Sequence, residues 1–237
     1  MYDLDLIAIE LAITECAEDD YMESSIGTIC SKILEDLQNM ISYMMQYLKN
    51  LKADISVMAA KTSMKTKLRI LKEKAKKGES ISIPDFRKIE KVYGNACNVL
   101  PRELKKLLKS AYPIRTTSDL EKFKDKKTRF ENQLLLFEEN LEDILKDTKI
   151  YKADDAYRII DGLLNENAIY FNSYFKAIKE FEHFKNDYKK ALDDIQRKND
   201  GLGKNTLVMH KSLVAKTSTS LSRMLKKVTF AVGSLVL

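Results

Sequence analysis

The chain has 237 residues, 32% of them charged, with a net charge of +6, three prolines, seven glycines and no tryptophan. This composition favours a mostly helical chain over a sheet protein, and the length is enough to bury a core. Cys16, Cys30 and Cys97 lack C-x-x-C spacing, which excludes a cysteine zinc site and a disulfide framework and reads as free thiols in a reducing compartment.

Charge is segregated along the chain. Residues 1–60 hold eleven acids against three bases, and residues 61–110 hold fifteen bases against five acids. Residues 111–200 are near balance, and residues 201–237 hold six bases and no acid. Such blocks favour contact with other molecules without specifying a fold.

Residues 1–23 form an acidic leader in which Asp3, Asp5, Glu10 and Glu15 alternate with Leu4, Leu6, Ile7, Ile9, Leu11 and Ile13. Residues 24–60 carry Ile33, Leu37, Met40, Met44, Leu48, Leu51 and Ile55 at spacings of three and four, which predicts one long helix. Ser24 and Ser25 offer caps for it. Residues 61–115 read as a basic short-helix region forming a cap or shoulder. It contains Lys72, Lys74, Lys76 and Lys77, a helix stop at Gly78 and all three prolines, with Asn95 and Pro101 as punctuation.

Residues 116–198 carry the strongest pattern. Leu120, Phe123, Phe130, Leu134, Phe137, Leu141 and Ile144 alternate by threes and fours, broken at Lys127. The rhythm resumes at Ile160, Leu164, Phe171, Tyr174, Ile178, Phe181, Tyr188, Leu192 and Ile195, broken at Asn167 and Lys185. That period keeps one seam facing a neighbouring helix. It predicts a long antiparallel hairpin turning near Asp147–Asp155, with arms of roughly 40 and 60 Å. The stripe from Tyr170 to Tyr188 covers more than one side, so that arm needs more than one neighbour.

Asn199-Asp200-Gly201-Leu202-Gly203 reads as a linker. Residues 199–237 then form a basic amphipathic C-terminal segment with a weaker seam, diluted by Thr217-Ser218-Thr219-Ser220. Its Lys216, Arg223, Lys226 and Lys227, with the 72–77 cluster, are the candidate contacts for a partner protein, a nucleic-acid backbone or an anionic membrane surface.

Catalytic chemistry finds little support. His183 and His210 are the only histidines, and neither has a carboxylate at helical spacing on an inward face. Lys198 stands where a phosphate loop needs its first glycine. No enzyme, catalytic residue, metal, cofactor or small-molecule substrate is expected. The acidic N-terminus has no secretory pattern, and no apolar run reaches the length of a membrane span. A cytoplasmic product, free or carried in a particle, is expected.

The leader Asp3-Leu4-Asp5-Leu6-Ile7-Ala8-Ile9-Glu10, the stretch Glu18-Asp19-Asp20, the Lys/Ile/Asn-rich helical body and the Lys226-Lys227 ending give the chain its likeness to a family. It resembles helical virion or head-assembly proteins of tailed bacteriophages of low-GC hosts. The resemblance implies a structural or internal particle component and carries over no catalytic or binding residue. The expectation is an all-α, elongated antiparallel bundle built on the hairpin, acting in assembly through its seams and charged segments. The alternatives are a membrane-active helical protein and a nonspecific nucleic-acid packaging protein.

Overall fold

The computed structural model describes residues 26–111, 116–198 and 201–235. It is an all-α helical bundle with one small two-stranded sheet. The elements are α1 (Ile26–Ala60), α2 (Thr62–Lys76), β1 (Ser80–Pro84), α3 (Phe86–Ala111), α4 (Thr117–Lys146), β2 (Thr148–Lys152), α5 (Ala153–Leu163), α6 (Ile169–Lys198) and α7 (Gly201–Gly233). The acidic leader lies outside the described residues.

The last helix is the centre of the molecule. α7 packs against α1, α3, α4 and α6, which follow one another around it in the order α1, α6, α3, α4. Side-chain pairs fix the directions. Lys216 meets Glu131 and Lys227 meets Glu142, while Lys211 meets Asp36 and Ser222 meets Tyr47, so α7 runs parallel to α4 and α1. His210 meets Leu104 while Leu221 meets Tyr93, and Tyr188 meets His210 while Tyr174 meets Ser222. α3 and α6 therefore run the opposite way. Among the described residues the ring opens between α4 and α1, where α7 shows one exposed line through Asn205, Lys216, Arg223 and Phe230.

This arrangement changes three sequence expectations. The two arms of the 116–198 segment form and run in opposite directions, but they do not pack as a hairpin, because α3 lies between them. The second arm is also broken: α5 ends at Leu163, and Asn165 accepts the Asn167 backbone N–H (2.8 Å) in the turn before α6. The C-terminal segment, expected as a contact segment beyond a linker, is helical from Gly201 and buried on most sides. Phe86–Ala111 is a single helix running through Pro101, whose ring removes one backbone bond. The buried row Ile89, Tyr93, Ala96, Leu100, Leu104 and Leu108 holds it against α7 on both sides of the proline.

A central helix in contact with four others needs small side chains, and α7 supplies them as hydroxyls. Each of Thr206, Thr217, Ser218, Ser222 and Thr229 donates to a carbonyl one turn earlier, at 2.7–2.8 Å. These bonds satisfy buried polar atoms at little cost. Tyr174 donates to the Ser222 hydroxyl (2.6 Å), which in turn donates to the Ser218 carbonyl. Tyr47 and Tyr93 donate to the carbonyls of Ser222 and Leu221 (3.3 and 3.4 Å). Tyrosines from α1, α3 and α6 thus converge on one turn of α7.

Of the 61–115 region expected as a short-helix shoulder, α2 and β1 form a cap with β2 and α5 at the end of the bundle where α7 finishes. Phe86–Ala111 belongs to the bundle itself. α2 packs on α5, and β1 pairs antiparallel with β2, with Ser80 opposite Lys152 and Pro84 opposite Thr148. Gly78 has φ +70°, which stops α2 in the conformation glycine adopts without strain. Asp85 caps α3 through the Lys88 backbone N–H (3.4 Å) and accepts the Tyr151 hydroxyl (2.6 Å), which ties the sheet to the helix.

Candidate anion-binding face

α3 buries one side against α4, α6 and α7 and turns the other to solvent. The exposed side reads Arg87, Lys88, Lys91, Asn95, Asn98, Arg102, Lys106 and Lys109, with no apolar residue. The helix carries seven cations, and its two acids, Glu90 and Glu103, are half-buried. At 1.5 Å per residue the strip is about 33 Å long. Some of these charges are neutralised: Lys88 pairs with Asp147 (3.1 Å), Lys105 with Asp187 (3.2 Å) and Lys106 with Glu103 (2.6 Å). Lys91, Arg102 and Lys109 make no ion pair among the described residues. The strip is therefore a field of exposed donors with local counter-charge at its edges.

Two clefts flank the strip. Between α3 and α4, about 260 Å³ is lined by Lys106, Lys126 and Arg129 over Leu107 and Phe130. Between α3 and α6, about 470 Å³ is lined by Gly94, Asn98 and Arg102 on one wall and by Ser173, Lys176 and His183 on the other. Lys179 and Glu180 also reach this cleft, and Lys179 is paired with Glu182 (2.7 Å). Cys97 lies at its floor. Burial pushes the Cys97 thiol up to about 12, against a hydrogen bond from Tyr93 that pulls the other way, so the sulfur stays protonated.

The residues singled out from sequence lie elsewhere. Lys72, Lys76 and Lys77 are exposed on α2 and Lys74 is half-buried, with the Lys72 ammonium 4.7 Å from the Tyr157 ring centre. Lys216 pairs with Glu131 (2.7 Å) and Lys227 with Glu142, each tying α7 to α4. Arg223 is exposed and Lys226 half-buried on the same side of α7. The two clusters sit on different elements, α2 and α7. Of the seam residues, Leu120 and Phe137 are partly buried and the other fourteen are buried. Lys185, at a break in the seam, donates to Gln38 of α1.

The histidines separate by environment. His183 is exposed on the cleft wall, while His210 is fully buried. His210 donates from Nε2 to the Leu104 carbonyl (2.8 Å), so its Nδ1 accepts from the Tyr188 hydroxyl. Burial lowers its pKa to about 4, against the raising effect of the Leu104 bond, and the ring is held neutral. It is a satisfied core group.

Sequence reasoning missed the α3 strip although the cations of residues 61–110 stood out in the charge pattern. The signal was present: Arg87, Lys91, Asn95, Asn98, Arg102 and Lys109 recur at helical spacing once the stretch is read as one helix. Reading Asn95 and Pro101 as stops hid it. Among the described residues no group of three His, Cys, Asp or Glu side chains is placed to hold a metal, and no helix is long and apolar enough to cross a membrane. Comparison with protein-family models, curated proteins and solved structures found no match.

Proposed function

We propose that the protein binds polyanions, the phosphate backbone of nucleic acid first among them, through the outer strip of α3 and its flanking cations. The single observation that carries this reading is the strip itself: an exposed polar side of a helix with cations toward both ends, Asn95 and Asn98 between them, and no apolar or acidic residue on it. Cations that replace condensed counterions gain affinity from the ions released, and the gain falls steeply with salt. Base-specific reading is not part of the proposal, because α3 presents no exposed aromatic for stacking. Such contact fits an internal component of a nucleic-acid-containing particle, the setting the sequence resemblance implies. Fluorescence anisotropy with labelled duplex DNA between 50 and 300 mM salt tests it. Binding that is salt-independent, or unchanged when Lys91, Arg102 and Lys109 are replaced together by Gln, would falsify it.

The assembly reading keeps one supporting observation. The internal seams are occupied by α7 and its neighbours, so they leave no stripe for a second copy. Leu135 and Leu136 on α4 are each 56% exposed and adjacent, which is where a protein partner or second copy would find apolar area. Light scattering after size exclusion checks this: a concentration-dependent dimer that Leu135→Glu with Leu136→Glu returns to monomer supports it. Deployment of residues 204–237 on a bilayer would require pulling α7 from among four helices, with Val228 and Val232 fully buried.

A further inference from the structure

We infer that the cleft between α3 and α6 is a binding site for a small phosphorylated molecule with a hydroxylated body, of the sugar-phosphate or nucleoside-monophosphate class. The inference deepens the reading of α3 as an anion-binding helix and shares Arg102 with it. Neighbouring helices that run in the same direction present their side chains as two ladders in register. Gly94, Asn98 and Arg102 step along α3 at intervals of four, while Ser173, Lys176 and His183 step along α6. Two pairs set the register: Gly94 lies beside Ser173, and Lys105 pairs with Asp187 (3.2 Å). Arg102 therefore stands opposite His183 at one end, and Gly94 opposite Ser173 at the other.

The two ends differ in chemistry. Arg102, at one end, provides a planar fork of donors suited to phosphate oxygens, and Lys176 stands on the facing wall partway along the cleft, one turn from Ser173. Neither makes an ion pair among the described residues. Between that fork and Gly94 lie the Asn98 amide and, at the far end, the Ser173 hydroxyl, both able to donate and to accept, as the hydroxyls of a sugar require. Glu180, one turn from His183, puts an acceptor on the α6 wall toward the Arg102 end. A volume of about 470 Å³ falls in the range of small-molecule sites. Gly94 gives the cleft its depth: a Cβ there would lie 3.4 Å from Ser173 Oγ, so any larger side chain would stand in the space between the walls.

The experiment uses the full chain, labelled with nitrogen-15, titrated with adenosine monophosphate, ribose 5-phosphate and inorganic phosphate at fixed ionic strength. Adenosine and sodium chloride serve as controls. The expected result is a saturable set of shifts confined to residues 94–102 and 173–183, for both organic phosphates and not for adenosine or chloride. Inorganic phosphate is expected to bind at least tenfold more weakly than the organic phosphates. Arg102→Gln should weaken binding at least tenfold. Gly94→Val, which fills the space between the walls beside Ser173 and leaves every cation in place, should abolish it while duplex DNA binding persists. Lys109→Gln, outside the cleft, should weaken DNA binding without moving the small-ligand affinity. Circular dichroism of each variant establishes that it folds, and Arg102→Gln carries the test if Gly94→Val does not. Shifts spread over lysines throughout the protein, equal shifts with chloride, or full affinity in Arg102→Gln would overturn the site. Salt-dependent DNA binding that persists alongside such a result leaves the broader reading of α3 standing and removes the cleft alone.

Discussion

α7 and α3 invite opposite readings before and after folding. Residues 201–237 hold six cations and no acid, while α3 holds seven cations and two acids, so charge alone makes the C-terminal segment the better anion-binding candidate. The fold reverses the order. α7 sits among four helices and directs Lys211, Lys216 and Lys227 to Asp36, Glu131 and Glu142 on its neighbours. α3 touches three helices with one side and leaves the other to solvent. A cation's role follows from the acids its surroundings bring to it, and only tertiary structure sets those.

The sharpest way to break the comparison is to disturb the centre of α7. Ser222→Leu would force a branched side chain into a turn where tyrosines from three helices converge, and would strip Tyr174 of its acceptor. Overpacking and an unpaired buried hydroxyl each cost about 1–3 kcal/mol. A loss of about 3–5 kcal/mol is expected, read as the shift in urea midpoint followed by circular dichroism. The same leucine placed on the exposed strip, Asn98→Leu, should change stability by less than about 0.5 kcal/mol. If both variants behaved alike, α7 would not be the core.

Acid sharpens the same contrast through the two histidines. Folding lowers the His210 pKa from an ordinary value near 6.5 to about 4, chiefly by burial. Between those values the unfolded chain binds a proton that the native chain does not, so stability falls as pH drops through that window. The loss is on the order of 3 kcal/mol by pH 4. Urea titrations at pH 7 and pH 4.5 should show it in the wild type and in His183→Gln. The double variant His210→Leu with Tyr188→Phe removes both partners of the buried bond and should lose this part of the acid sensitivity.

The strip on α3 should respond in function and hardly at all in stability. Lys91→Gln, Arg102→Gln and Lys109→Gln together are expected to weaken duplex DNA binding between ten- and a hundredfold near 100 mM salt. The slope of log affinity against log salt should fall by about 2–3, near one for each phosphate that loses its cation. The thermal midpoint should stay within about 2 °C, since exposed cations without ion pairs contribute little to folding.

The helices themselves were legible because hydrophobic period survives any arrangement of partners. Phe123 through Ile144, and Phe171 through Ile195, give the same seams in a hairpin or around a central fifth helix. Their pairing was not legible, because a seam states that a neighbour exists and not which one. The need of the Tyr170–Tyr188 stripe for several neighbours could be read, and α6 does pack on α1, α3 and α7. Thr217-Ser218-Thr219-Ser220 misled in the other direction: poor helix formers in isolation are what a crowded central helix uses to let its neighbours approach. Ser80–Pro84 and Thr148–Lys152 are too short to register as strands until the bundle brings them side by side. The candidate site was hidden for a related reason. Pro101 and Asn95 read as breaks, and a strip cut into two short helices has no continuous side.

The smallest effect tests whether the cations of α7 are as fully committed as the geometry implies. Lys216 is half-exposed and its partner Glu131 about a quarter exposed, at 2.7 Å, with Lys127 3.9 Å from the same carboxylate. A pair in that setting gains modest Coulomb energy, and removing one partner leaves Glu131 a second cation nearby. Lys216→Gln should therefore destabilise the bundle by only about 0.5 kcal/mol, and 0.5 M salt should erase the difference. The same variant should leave DNA affinity within twofold of wild type, because a lysine held by a glutamate on α4 has little charge left to offer a phosphate. A tenfold loss of DNA affinity in Lys216→Gln would mean that the exposed line of α7 belongs to the binding surface, and would remove the distinction drawn between α7 and α3.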